Sequence, residues 1–157
     1  MSHVAVQEVP LPAPVRELSA LGRVDYSDAF LLSTGRPGER TGEEWARAML
    51  EGAPGTTRRA LRRGWFALGI PLGAADDRRR VLGWPVRRSA PDHAVLAADS
   101  LMGMEAELHF VRAPGGLRFA TLLKLNTPLA RVVWTLFAAQ HRRVVRRLLE
   151  QTARRAA

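Results

Sequence analysis

After Pro128 the chain carries no further proline and no glycine. Nothing in that stretch interrupts a helix. Asn126-Thr127-Pro128 supplies a start, with Thr127 as N-cap and Pro128 in the first helical turn, where its missing N–H costs nothing. The spacing predicts one helix from Pro128 to Arg154, roughly 27 residues and near 40 Å at 1.5 Å per residue. At 100° per residue, Val133, Trp134, Phe137, His141, Val144, Val145 and Leu148 fall on one arc, and Arg142, Arg143, Arg146 and Glu150 lie on the other side. One face of this helix is built to be buried.

The residues before it read as the surface that buries it. Met102, Met104, Ala106, Leu108 and Phe110 alternate with Gly103, Glu105, Glu107, His109 and Val111, a period of two with one apolar and one mostly polar face. Pro114-Gly115-Gly116 reads as a hairpin turn. The return strand places Leu117, Phe119, Thr121, Leu123 and Leu125 on one face, with Arg118 and Lys124 on the other. Pairing of those cations with Glu105 or Glu107 across the outer face favours this register. Val81–Arg88 and Ala94–Ser100 are shorter strands joined at Ser89-Ala90-Pro91-Asp92. Asp25–Leu32 is the first strand, ending at the turn-rich Ser33–Gly38.

Two short helices fall between the first strand and the rest. Thr41-Gly42-Glu43-Glu44 is a capping box, in which the threonine hydroxyl accepts from the amide of Glu44 and the Glu44 carboxylate accepts from the threonine amide. The helix it starts carries Trp45 and Met49 on one side and stops at Gly52-Ala53-Pro54-Gly55. A second begins at Thr56 or Thr57 and spaces Leu61, Trp65 and Leu68 as a buried stripe, ending at Gly69–Gly73. The opening stretch, with Pro10, Pro12 and Pro14, favours extended or polyproline-like backbone over helix. Residues 1–19 are therefore expected as an N-terminal arm, and residues 20–157 as a single domain.

Composition narrows function more by exclusion than by assignment. The 157 residues suit one domain, and 46% hydrophobic content suffices for a core. There is no cysteine, which removes disulfides, thiolate zinc sites, iron–sulfur clusters and a cysteine nucleophile. The opening MSHVAVQEVPLPAP has neither a basic n-region nor an apolar h-region, and no apolar run reaches the roughly 20 residues of a spanning helix. A cytoplasmic protein is expected. The net charge of +9 would ordinarily point to nucleic acid or an anionic surface. Yet Lys124 is the only lysine, a bias that fits GC-rich coding, and the aromatics avoid the arginine pairs Arg58-Arg59, Arg62-Arg63, Arg142-Arg143 and Arg146-Arg147. A solvated helix face is the expected role of those arginines, and nucleic acid is not an expected partner.

No catalytic framework emerges. His3, His93, His109 and His141 share no metal-ligand spacing. Gly35, Gly38 and Gly42 lack the Gly-Lys-Ser/Thr ending of a phosphate loop, and no Gly-x-Ser-x-Gly elbow occurs. Glu105 and Glu107 have the spacing of a carboxylate pair on one strand, but the expected outer-face pairing with Arg118 and Lys124 accounts for them. His141 has two readings: a structural histidine held by a backbone carbonyl or a tyrosine, or a polar anchor or general base facing a ligand. Trp65, Trp84, Trp134, Phe110 and Phe119 likewise either fill a core or line a cavity.

The element order, with Asn126–Trp134 followed by His141-Arg142-Arg143-Val144-Val145, resembles the START-like helix-grip superfamily, the SRPBCC group that includes Bet v 1 and the polyketide cyclases. The nearer resemblance, through Asp25–Phe30, Leu101–Met104 and Phe119–Thr121, is to a bacterial branch without an assigned reaction. The resemblance implies an α+β helix-grip fold, a curved antiparallel sheet wrapped around the long C-terminal helix, with the two short helices after the first strand. It also implies a cavity between sheet and helix that in many relatives holds an apolar molecule, with Trp45, Leu61, Trp65 and Gly69–Gly73 near its mouth. The candidate cavity residues are Trp65, Trp84, Met104, Phe110, Phe119, Leu123, Trp134, Phe137, His141 and Leu148. No cofactor, metal ligand or catalytic residue is assigned. The expected function is binding of a small hydrophobic or amphipathic ligand. A cyclase-, dehydratase- or hydrolase-like enzyme using the same cavity, and a basic surface for nucleic acid or an anionic membrane, are the alternatives.

Overall fold

Period-two apolar alternation in the second half of the chain builds most of the sheet. A computed structural model describes residues 5–34 and 40–156, with the backbone alone at Ala156. Its elements in chain order are β1 (Ala5–Glu8), α1 (Ala13–Leu18), β2 (Tyr26–Ser33), α2 (Gly42–Leu50), α3 (Gly55–Ala67), β3 (Arg80–Val81), β4 (Trp84–Ala90), β5 (His93–Asp99), β6 (Met104–Ala113), β7 (Gly116–Leu125) and α4 (Pro128–Ala156). The strands form one curved antiparallel sheet in the order β1-β2-β7-β6-β5-β4-β3. The fold is α+β with a helix-grip arrangement: α2 and α4 pack on the inner face, and α3 lies over the space between them.

The β6–β7 hairpin closes through Pro114-Gly115, with Ala113 paired to Gly116 and Gly115 at φ 71. Proline at the first and glycine at the second central position is the chemistry of a type II turn. The pairing sets Phe110 opposite Phe119, their rings 5.2 Å apart and edge-on, among the inner-face residues Met104, Leu108 and Leu123. Glu105 opposes Lys124 as expected, at 3.4 Å. Arg118 instead opposes Val111, and Glu107 opposes Leu122.

The α4 start is fixed by its cap. Thr127 Oγ1 accepts from the Ala130 amide at 3.0 Å and donates to the Met102 carbonyl at 2.6 Å, joining the helix to the β5–β6 loop. Ala130, Trp134, Val145, Leu148, Leu149 and Ala153 are buried along it, whereas Phe137 is 37% exposed and His141 half-buried. The expected arc is thus rotated slightly. Leu149 and Ala153 take core positions, and Phe137 stands at the rim. Arg146 is not on a free outer face: it donates to the Val6 carbonyl at 3.1 Å and lies over the Phe30 ring.

The capping box forms as expected, with both hydrogen bonds at 3.1 Å. Trp45, Ala46, Met49 and Leu50 of α2 are buried against the sheet. A Cβ on Gly42 would come within 2.4 Å of the His93 backbone, so this close approach of helix to strand needs glycine. The strand expected over Val81–Arg88 is interrupted, because Leu82 and Gly83 both take positive φ and turn β3 back on β4. The Ser33–Gly38 turn, like Gly35 and Gly38 of the loose phosphate-loop pattern, falls almost wholly outside the described residues.

Two expectations about the outer face are corrected. Residues 5–18 do not form a loose extended arm: β1 pairs with β2, and α1 tolerates Pro14 because it sits in the first turn, where no amide is required. The segment from Val9 to Leu21 crosses the outer face, and Val15 caps a second small core with Ala29, Val111, Ala120 and Leu122. Glu107 and His109 are consequently sealed beneath it, each fully buried. Burial alone would raise the Glu107 pKa. Hydrogen bonds from His109 Nε2 at 2.8 Å, from Ser19, from the Ala20 amide at 2.9 Å and from Arg87 outweigh that and hold it down to about 2.

A carboxyl with a depressed folded-state pKa stabilises the fold above its ordinary value near 4.5, and that stabilisation is lost as pH falls toward 2. Thermal melts across this window are expected to show a loss on the order of 3 kcal/mol from this group. Glu107→Gln should flatten the profile, and an unchanged profile in that variant would show that the network does not carry the acid sensitivity.

Candidate functional site

The α3 sequence, GTTRRALRRGWFA, has four arginines and only a narrow apolar stripe, so it cannot enter a core on its own. It is moored by its cations. Arg62 donates to the Leu82 and Gly73 carbonyls, both at 3.1 Å, and Arg58 to the Glu51 and Ala53 carbonyls at 3.1 and 2.8 Å. Beyond its C-terminus the Leu68 carbonyl accepts from Ser100 Oγ, and the Leu101 amide donates to the Gly69 carbonyl at 2.8 Å. No α3 residue is buried. The stripe Leu61, Trp65 and Leu68, expected in a core, is half-buried and faces a cleft.

That cleft is a cavity of about 390 Å³. Its floor is Leu108 and Phe119 of the sheet, one wall is Met49 and Leu50 of α2, another is Phe137, His141, Val144, Val145 and Leu148 of α4, and α3 covers it with Leu61, Trp65 and Leu68. Thr56, Thr57, Trp65, Gln140, His141, Arg147 and Gln151 are the hydrogen-bonding side chains on the lining, which includes no carboxylate. Two surface depressions of about 410 Å³, around Arg47–Arg78 and around Arg62–Leu72, are lined by loop and helix residues and do not reach the paired strands β4–β7. The 390 Å³ space lies within the roughly 300–1,000 Å³ range of small-molecule sites.

Of the ten expected cavity residues, Trp65, Phe119, Phe137, His141 and Leu148 meet around this space. Trp84, Met104, Phe110, Leu123 and Trp134 are instead buried in the packing behind it. Trp84 still supports the site, standing edge-on to Trp65 with ring centres 5.5 Å apart. Trp45, expected near the mouth, is core, 2% exposed. Their bulk fills much of the inner sheet face, and what stays open is the space over Leu108 and Phe119 bounded by α2, α3 and α4.

His141 joins two environments. One side of it faces the cavity; Nε2 lies 3.1 Å from Asp28 Oδ2 and 3.1 Å from Thr121 Oγ1. The Tyr26 hydroxyl donates to the same Asp28 oxygen at 2.7 Å, and the rings of Trp134 and Tyr26 flank the imidazole edge-on at 5.0 and 6.2 Å. Burial alone would raise the Asp28 pKa, but the contacts from His141, Tyr26 and Thr121 hold it below the usual carboxylate range. Burial and the hydrogen bond to Asp28 push the Tyr26 phenol well up. The group is therefore an anionic carboxylate, shielded from water, orienting an imidazole at the cavity wall. That arrangement can position a ligand's polar group or accept a proton from it.

Asp28, Tyr26 and Thr121 were not among the expected site residues. A signal for Asp28 exists in β2, where Tyr26, Asp28, Phe30 and Leu32 share one parity, so a carboxylate stands on the core-facing side. Thr121 is its direct cross-strand partner. No cluster of His, Asp and Glu among the described residues is arranged to hold a metal ion.

The chain matches no protein-family model, and comparison with curated proteins gives no match. Among solved structures, CalU16 from Micromonospora echinospora is similar over 97% of this chain and 93% of its own, at 11% identity and a TM-score of 0.37. That likeness is too low to transfer a role to any residue.

Replacing Asp28 by Asn removes the charge and weakens three hydrogen bonds at once. Asp28→Asn is expected to cost about 1–3 kcal/mol, read as a lower urea midpoint at constant slope. The neighbouring outward-facing Ser27→Asn should stay within about 0.5 kcal/mol. Equal stabilities would mean that the Asp28 cluster contributes nothing to the fold.

Proposed function

We propose that the chain is a START-like domain that binds one small hydrophobic or amphipathic molecule in the cleft between α3, α4 and the inner sheet face, without transforming it. The observation that carries this reading is the cleft itself. It is a 390 Å³ space with predominantly apolar walls, bordered by a helix none of whose residues is buried. Filling it would remove Leu61, Trp65, Phe137 and Val144 from water at about 25 cal/mol per Å² of apolar area. His141, held by Asp28, is positioned to accept or donate one hydrogen bond to a polar group on that molecule. No carboxylate on the lining opposes an anionic or neutral head group.

A second reading, an enzyme with His141 as general base, is favoured by the Asp28–His141 contact alone. Binding without chemistry is preferred because no Ser, Tyr, Asp or Glu on the lining stands beside His141 as nucleophile or acid. The two separate in one variant: His141→Ala leaves affinity within a few-fold under the binding reading, and abolishes turnover with affinity retained under the enzymatic one.

Native mass spectrometry and solvent extraction of the purified protein should reveal a retained small molecule. A titrated apolar ligand should shift the emission of Trp65, identified by its loss in Trp65→Phe. Val144→Trp, which fills the cleft from α4, should weaken binding by about tenfold or more without unfolding the protein. Undiminished binding in the filled variant would place the ligand elsewhere and sink the proposal.

A further inference from the structure

Besides Val24, the large apolar side chains exposed among the described residues are Phe66 (81%), Leu101 (87%), Leu129 (57%), Val132 (60%), Leu136 (75%) and Phe137 (37%). They come from three segments that the hydrogen bonds bring together. The Leu101 amide is bonded to the carbonyl of Gly69, three residues beyond Phe66, and the Met102 carbonyl accepts from Thr127, two residues before Leu129. Leu129, Val132 and Leu136 recur at i, i+3 and i+7, one face of α4 that no other element covers. Phe137 belongs both to this set and to the cavity lining. Exposed apolar residues scattered singly need no explanation, but a gathered set marks an interaction surface.

Charge selects the partner. The α3 helix and residues 128–149 of α4 carry nine arginines and no Asp, Glu or Lys. Arg59, Arg63 and Arg143 form no ion pair among the described residues, and Arg63 stands one turn before Phe66. A second copy would set these like charges against one another, and a nucleic acid would leave Leu129, Val132 and Leu136 in water. Apolar side chains projecting among free arginines match the two layers of an anionic bilayer surface, acyl chains beneath and negative headgroups above.

We propose that this surface docks the protein on an anionic lipid bilayer, with Phe66, Leu101, Leu129, Val132 and Leu136 entering the headgroup–acyl boundary and Arg59, Arg63 and Arg143 meeting the headgroups. Docking does not require an occupied cavity, so its failure would leave the ligand-binding reading standing, and an empty cavity would leave docking standing.

The test is flotation of the full chain with vesicles of phosphatidylcholine alone or with about one-third phosphatidylglycerol. Binding is expected on the mixed vesicles, weaker by about tenfold or more on phosphatidylcholine alone, and falling with added salt. The double variant Phe66→Asp/Leu136→Asp should lose about tenfold or more of the partitioning with its melting temperature unchanged, because both positions are exposed. Should that pair fail to fold, Leu101→Asp, in a loop, carries the same test. No association with the mixed vesicles, or variants that bind them as wild type does, would overturn the proposal. So would a dimer in sedimentation velocity that these variants dissociate while vesicles stay unbound, or retention of duplex DNA in place of vesicles.

Discussion

The inner face of the sheet is wider than any one helix, and the candidate site follows from that mismatch. Seven strands at about 4.8 Å spacing span roughly 29 Å, whereas a helix with its side chains is about 10–12 Å across. The two inner helices divide the face. α4 packs on β1, β2 and β7, and α2 packs on β3, β4, β5 and β6. The strip between them runs over Leu108 and Phe119, and it is there that the cavity has its floor. α3 lies over this strip but cannot descend into it, because its arginines hold it to backbone carbonyls at the level of the loops and its stripe of three side chains is too narrow to fill the space.

How much of this was legible depended on how local the cause was. The Thr41–Glu44 capping box, the Thr127–Pro128 start of α4 and the parity of Met104 through Phe110 are each decided within a few residues, and each reads correctly from the chain. The Leu82–Gly83 reversal is also local, but it puts a leucine at φ 48, a conformation that leucine does not advertise. The Asp28–His141 contact joins positions 113 residues apart, and only the parity of β2 hints that Asp28 faces inward. Sequence periodicity could place His141 on the inner arc of α4. It could not say that five of the ten expected wall residues would be spent on packing behind the cavity.

The outer sheet face failed for a different reason. Glu105, Glu107 and His109 read as a solvated polar row, and for Glu105, beside Lys124, that is nearly so. Two residues along the strand, Glu107 is sealed because Val15 and its neighbours cross above it. Alternation reveals which face a residue points to, but not whether a distant segment covers that face. The three prolines that argued against helix in this segment are in fact compatible with a short one: Pro10 and Pro12 precede it, and Pro14 occupies the one helical turn that needs no amide.

The buried Asp28 cluster bears on what the cleft is for. Desolvating a carboxylate costs several kcal/mol, and an ion pair in the interior seldom returns more than well-packed apolar side chains of similar size. Position 28 lies between Tyr26 and Phe30 on the core face, where a leucine would satisfy packing without any hydrogen-bond demand. Stability alone therefore does not account for an acid there, nor for a histidine one turn from Phe137 and Val145. What the acid does achieve is orientation, since with Thr121 and Tyr26 it holds the His141 ring in one position beside the cavity. A fixed polar group in a predominantly apolar cleft supports a ligand with a polar end and an apolar body.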